Sequence, residues 1–221
     1  GDPAAPAITA EETDYLCRAA GEYFRQPIDP ASVVHSYSGV RPLYDDGAKE
    51  AKAATRDYVL EVDGGEGEAP LVSVFGGKIT TYRRLAEAVM AKLAGRFERL
   101  GPAWTDGAAL PGGDFPVAGQ AALAEEFARQ VEGLGAATAT RLVRAYGTRA
   151  RRFLAGARSA ADLGRDYGCG LSEREVDYLV EQEWARSAED VLWRRSKLGL
   201  RLTSEQRAAL EERLASAGAA P

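Results

Sequence analysis

Cysteine is scarce in this sequence: two in 221 residues, Cys17 and Cys169, far apart and in no CxxC arrangement. That excludes a disulfide framework, and with a single histidine, His35, it excludes a cysteine/histidine metal site as well. A reducing cytosol suits such a chain. No apolar run approaches the roughly 18–20 residues of a membrane-spanning helix. The opening GDPAAPAITAEE is acidic and has no apolar centre, so it does not read as a signal peptide. Positive charge is not in excess either: 28 Lys and Arg stand against 33 Asp and Glu, for a net charge of −5. The balance is even along the chain, and no nucleic acid is expected as a partner. An initiating methionine is also lacking, which points to a piece of a longer polypeptide.

What is present is the composition of an ordinary globular protein, 45% apolar and 28% charged, long enough for one large domain or two modest ones. Thr9 and Glu12 are spaced as a capping box ahead of a helix whose stripe is Tyr15/Ala19/Tyr23 with Leu16/Ala20/Phe24. Val33–Tyr37 reads as a strand, broken by Gly39 and Pro42. TRDYVLEV and LVSVF read as a strand pair across the turn-rich DGGEGEAP. A helix from about Lys78 is predicted to bury Tyr82, Leu85, Ala86, Val89, Met90 and Leu93. GPAWTDGAALPGGDFP marks a domain boundary, placing one domain over 1–100 and an all-helical one over 101–221. In the latter, Ser172/Glu175, Ser187/Asp190 and Thr203/Gln206 look like helix starts. Leu179, Val180, Trp184, Val191, Leu192 and Trp193 are expected to line its core.

Three segments carry chemistry. GGKITTYR, residues 76–83, joins a strand to a helix, but Val72 and Ile79 break the GxxxxGK[ST] pattern, so it is not a P-loop. Glycines that admit close approach, a helix N-terminus and Lys78 together suit an electron-rich atom that gains charge during a reaction. The plainer reading is a strand-to-helix turn with a surface lysine. SYSGVRPL carries Arg41, and TRDY carries Arg56. Forked guanidinium donors at neighbouring strand ends suit a small anion, though Asp45, Asp46 and Asp57 offer ordinary ion-pair partners.

Taken together, YSGVRPL, TRDY, APLVSVFGGKITTYRRLAE, GPAWT, LPGG, DLGRDYG, YLVEQEWARSAEDVLWRRSKLGL and LTSEQ resemble the FAD-dependent, quinone-linked glycerol-3-phosphate dehydrogenases of aerobic bacteria. The resemblance covers essentially the whole chain. It implies an α/β (α+β) segment of a glutathione-reductase-type flavoprotein followed by an all-α C-terminal domain. Members of the family open with a GxGxxG unit for the FAD pyrophosphate, and this sequence has none, so it reads as a C-terminal portion.

The resemblance implies that Arg41 and Arg56 hold the substrate phosphate. It also implies that Gly76, Gly77, Lys78, Ile79 and Thr80 face the pyrimidine edge of the flavin, where hydride transfer to N5 leaves negative charge near N1 and O2. Thr80 and Thr81 either bond the ring or cap the helix. The implied reaction converts sn-glycerol 3-phosphate to dihydroxyacetone phosphate, with electrons passing through FAD to a quinone. The general base is not assigned, and His35 reads as structural. A cytoplasmic protein held peripherally on the cytoplasmic membrane is implied, and a homo-oligomer is an open possibility. VLWRRSKLGLRL, with Trp193, Arg194, Arg195 and Lys197, is either a membrane-contact stretch or an ordinary charged helix end. The chain alone is expected to be inactive. The alternatives are a stable helical interaction module, or a flavin oxidase of the same fold acting on an amine.

Overall fold

The computed structural model describes residues 2–40, 44, 57–65, 67–97 and 99–218. It divides into two compact units, Gly1–Ala108 and Ala109–Pro221, with the division inside the glycine- and proline-rich loop.

In the first unit, helix α1 (Ala10–Gly21) starts on a complete capping box: the Glu12 amide donates to the Thr9 hydroxyl, and the Thr9 amide donates to the Glu12 carboxylate at 2.8 Å. Its aromatic stripe stays exposed, and only Cys17 is buried. The expected strand at Val33–Tyr37 does not form. The segment carries no strand hydrogen bonding, with Val34 and Tyr37 both exposed. β-Branched residues favour extended backbone, but a strand also needs a neighbour to pair with.

Strands β1 (Tyr58–Asp63) and β2 (Leu71–Gly76) do pair, antiparallel, from Tyr58 opposite Gly76 to Asp63 opposite Leu71. A 3-10 turn, Ile79–Thr81, leads into helix α2 (Tyr82–Leu93). Leu85, Val89 and Leu93 are half-buried, whereas Tyr82, Ala86 and Met90 are exposed, so the predicted apolar face is only partly covered. Beyond α2, Arg96 donates to the carbonyls of Gly64, Gly65 and Glu68 and so ties the helix end to the hairpin turn.

The second unit is helical: α3 (Gln120–Gln130), α4 (Ala136–Tyr146), the short α5 (Arg151–Leu154), α6 (Glu173–Glu183), a π-helical turn at Asp190–Arg195, and α7 (Ser204–Gly218). Phe127, Val131, Leu142, Leu154, Leu171, Val176, Leu179, Val191 and Leu210 form one closed core. α6 starts at Ser172, whose hydroxyl accepts from the Glu175 amide, and Thr203 and Gln206 bond each other reciprocally at the start of α7. Ser187 and Asp190 cap each other too, although the turn they open is π-helical. Of the expected core residues Trp184 is the exception. It sits 78% exposed, in the left-handed region at φ 59°, at the end of α6.

Candidate functional site

The glycine turn is built by the hairpin register. Because Tyr58 pairs with Gly76, the first residue of β1 lies against the turn that leaves β2. Gly76 and Gly77 have φ of 66° and 93°, and a Cβ on Gly77 would meet the Tyr58 Cβ at 3.2 Å. A side chain there is excluded both by dihedral and by contact. Lys78 returns to extended backbone at φ −93°, ψ 142°. Its carbonyl accepts the Thr81 amide at 3.0 Å and the Thr81 hydroxyl at 2.8 Å. Helical geometry therefore begins one residue after Lys78, in a tight turn. Thr81 supports that turn rather than capping α2, which has no side-chain cap.

The electrostatics at this end are unusual for a helix. The first turn of α2 has no acidic residue, yet it contains Arg83 and Arg84. Positive charge there opposes the helix dipole, typically by some 0.3–1 kcal/mol per group. Arg83 is neutralised by Glu87 at 3.0 Å and Asp106 at 3.1 Å. Lys78 and Arg84 have no ion pair among the described residues. Ile79 is 87% exposed beside them. Open backbone at two glycines, uncapped N–H groups and cations with no ion pair among the described residues make a donor set that fits an electron-rich ring edge.

Gly76, Gly77, Lys78, Ile79 and Thr80 are thus brought together on one turn, as the sequence order requires. Arg41 and Arg56 lie outside the described residues. His35 is exposed. The stretch around Trp193 is engaged within its own unit. The Trp193 ring is half-buried, with Arg207 5.8 Å from its centroid, and no Cβ fits at Gly199 beneath it. Arg194 pairs with Glu189 and Asp190, and Lys197 donates to the Trp193 carbonyl. No helix among the described residues is long and apolar enough to cross a membrane.

Two networks escaped sequence reading. In the first unit, Thr105 donates to the Glu87 carboxylate that already holds Arg83, fixing the Leu100–Asp106 loop to α2. The i, i+4 spacing of Arg83 and Glu87 is a visible signal, but the loop partners have none. Beside that loop, along Ala86–Ala91, an open apolar cleft of about 550 Å³ exposes Trp104.

In the second unit, the fully buried Glu175 accepts two bonds from Arg141, each 2.7 Å, and one from the Tyr146 hydroxyl at 2.7 Å. Arg141 also donates to the Gly170 carbonyl. Burial works against the Arg141 charge, but the bonds and charge of Glu175 outweigh it and hold its pKa above the usual range. Burial and the neighbouring carboxylate push the Tyr146 phenol far up, so it stays neutral. The cluster has every hallmark of an interior brace.

Residues 103–219 match the C-terminal domain of alpha-glycerophosphate oxidase. The chain belongs to that family. Across 98% of its length it is 50% identical to a glycerol-3-phosphate dehydrogenase of Pseudomonas aeruginosa, of which it covers 42%. Across 96% it is 40% identical to the aerobic glycerol-3-phosphate dehydrogenase of Escherichia coli, again covering 42% of that protein. Across 93% it is 44% identical to a D-erythritol 1-phosphate dehydrogenase of Brucella abortus, covering 41%. The chain therefore spans about two fifths of the length of these relatives, and the match reaches well upstream of the helical domain.

Proposed function

We propose that this chain supplies the phosphate-holding and flavin-facing residues of an FAD-dependent glycerol-3-phosphate dehydrogenase. In this reading sn-glycerol 3-phosphate is oxidised at C2 to dihydroxyacetone phosphate, and the electrons leave to a quinone. The observation that carries it is the 50% identity, over nearly the whole chain, to a protein named glycerol-3-phosphate dehydrogenase. FAD, when bound, accepts the hydride. This chain's own residues serve binding and polarisation: Gly76 and Gly77 admit the ring edge, while the N–H groups around Ile79 and Thr80, with Lys78, hold positive potential against it. Arg41 and Arg56 grip the substrate phosphate as forked donors, which fixes the position of C2. The proposed fold is a glutathione-reductase-type flavoprotein segment with a helical domain appended. A peripheral position on the cytoplasmic membrane belongs to the same proposal, since a bilayer-confined quinone must be reached from its surface.

The test uses the full-length protein that contains this sequence. Its flavin absorbance is expected to bleach on addition of sn-glycerol 3-phosphate and to recover with a soluble quinone. Glycerol, which lacks the phosphate, should leave it unchanged, and bleaching by an amine instead would overturn the assignment. Arg41→Ala and Arg56→Ala should each lower kcat/KM about 10- to 100-fold, the worth of one charge-assisted contact. A second reading, oxidation of a four-carbon polyol phosphate, draws on the Brucella abortus relative. The ratio of kcat/KM for the two substrates decides between them.

A further inference from the structure

The charges around the start of α2 do not balance. Arg83, its second residue, brings one positive charge, while Glu87 at 3.0 Å and Asp106 at 3.1 Å bring two negative ones. The two carboxylates are not equivalent. Asp106 is 90% exposed, where water and salt screen it, whereas Arg83 and Glu87 are both half-buried. Glu87 is also fixed from two sides. The oxygen that meets Arg83, Oε1, accepts the Thr105 hydroxyl as well.

A helix start ordinarily carries acids, which its dipole favours. Here the order is reversed: cations stand in the first turn, and the acid stands one turn further on, at Glu87. An i, i+4 pair on an open helix face needs no third partner. A carboxylate held by one donor from the helix and another from a loop is a fixed charge. Fixed charge close to a site decides how well that site stabilises charge developing in it.

We propose that Glu87 is a positioning residue that acts through Arg83 and sets the positive potential at the Gly76–Thr80 turn, and so how strongly that turn stabilises negative charge on a flavin. The inference rests on the flavin-facing reading of the turn given above. Removing the Glu87 charge raises the potential, and removing the Arg83 charge lowers it. Removing both restores the net charge. A pair with a structural role alone behaves differently, because either single change breaks the same contact and disturbs the turn in the same sense.

The experiment titrates sulfite into the full-length protein that contains this sequence and follows the flavin absorbance. The sulfur lone pair forms a bond to flavin N5, and the displaced electron pair rests on N1 and O2. The dissociation constant therefore reports the potential at that edge without turnover. Glu87→Gln should bind sulfite about 3- to 10-fold more tightly and Arg83→Gln about 3- to 10-fold more weakly, the scale of one half-buried, partly screened charge. The double variant should fall within about twofold of the unchanged protein. Overturning results are shifts of one sign in both single variants, no shift in either, a double variant no nearer the unchanged protein, or loss of flavin from both. If the unchanged protein carries flavin that sn-glycerol 3-phosphate does not bleach, the proposed substrate fails and the sulfite result stands. An unchanged protein without flavin would overturn both.

Discussion

At the residue scale, two positions separate stability from function. Glu175 is buried and its carboxylate accepts from three donor groups, so Glu175→Gln leaves Arg141 without its counter-charge. A loss of about 3–5 kcal/mol in urea unfolding is expected. Replacing Arg141 and Glu175 together by apolar residues of similar volume should cost far less than the single change, and equal costs would contradict the brace. Trp184 is the opposite case. It occupies a left-handed position that favours glycine and gains little from burial. Trp184→Gly should therefore hold or raise stability by about 0.5–1 kcal/mol, read from the thermal midpoint. A clear loss would mean that the indole packs usefully. Gly77→Ala, with φ at 93° and Tyr58 already in contact, should reduce flavin content in the full-length protein.

At the element scale, helix starts govern the response to acid. Glu12, Asp162 and Asp190 accept backbone N–H bonds at their helix or turn starts, and Asp114 takes the Thr148 hydroxyl. Each carboxyl is held below its ordinary pKa. A pKa lower in the folded state than in the unfolded one gives stability that is present above the unfolded value and lost as pH falls through the folded one. Asp177, raised by burial, works the other way, but among the described residues it stands alone against four. The thermal midpoint is expected to be flat down to about pH 5 and to fall steeply below about pH 4. Asp162→Asn should shallow that fall.

These starts were also what the sequence made most legible. Thr9–Glu12 and Thr203–Gln206 form as their spacing predicts, because a capping box is a contact across three residues. Ser172–Glu175 forms only half, since Arg141 and Tyr146, about 30 residues upstream, take the Glu175 carboxylate. The hairpin was legible from its alternation and its turn, while Val33–Tyr37 misled because pairing is a non-local property that no local pattern contains. The glycine turn could be located from its residues, but the tie between α2 and the Leu100–Asp106 loop could not.

At the scale of the whole molecule, burial is unevenly shared. The second unit closes its own core and satisfies its interior carboxylate internally, so residues 109–221 should fold alone with one cooperative thermal transition. A non-cooperative melt of that piece would show that its core depends on upstream residues. Limited proteolysis of the intact chain should accordingly cut first within the first hundred residues.

The Arg96 clamp bears on how the glycine turn can behave. Arg96 fastens the far end of α2 to the turn of the hairpin, and the near end of α2 is joined to β2 through Gly76–Lys78 and the 3-10 turn Ile79–Thr81. Strand and helix are thus tied at both ends, like two sides of a closed frame. In such a frame the paired glycines cannot act as a hinge, despite their freedom as isolated residues. Lys78 is carried as a rigid extension of β2, and any movement that brings it to a ligand must move the strands with it.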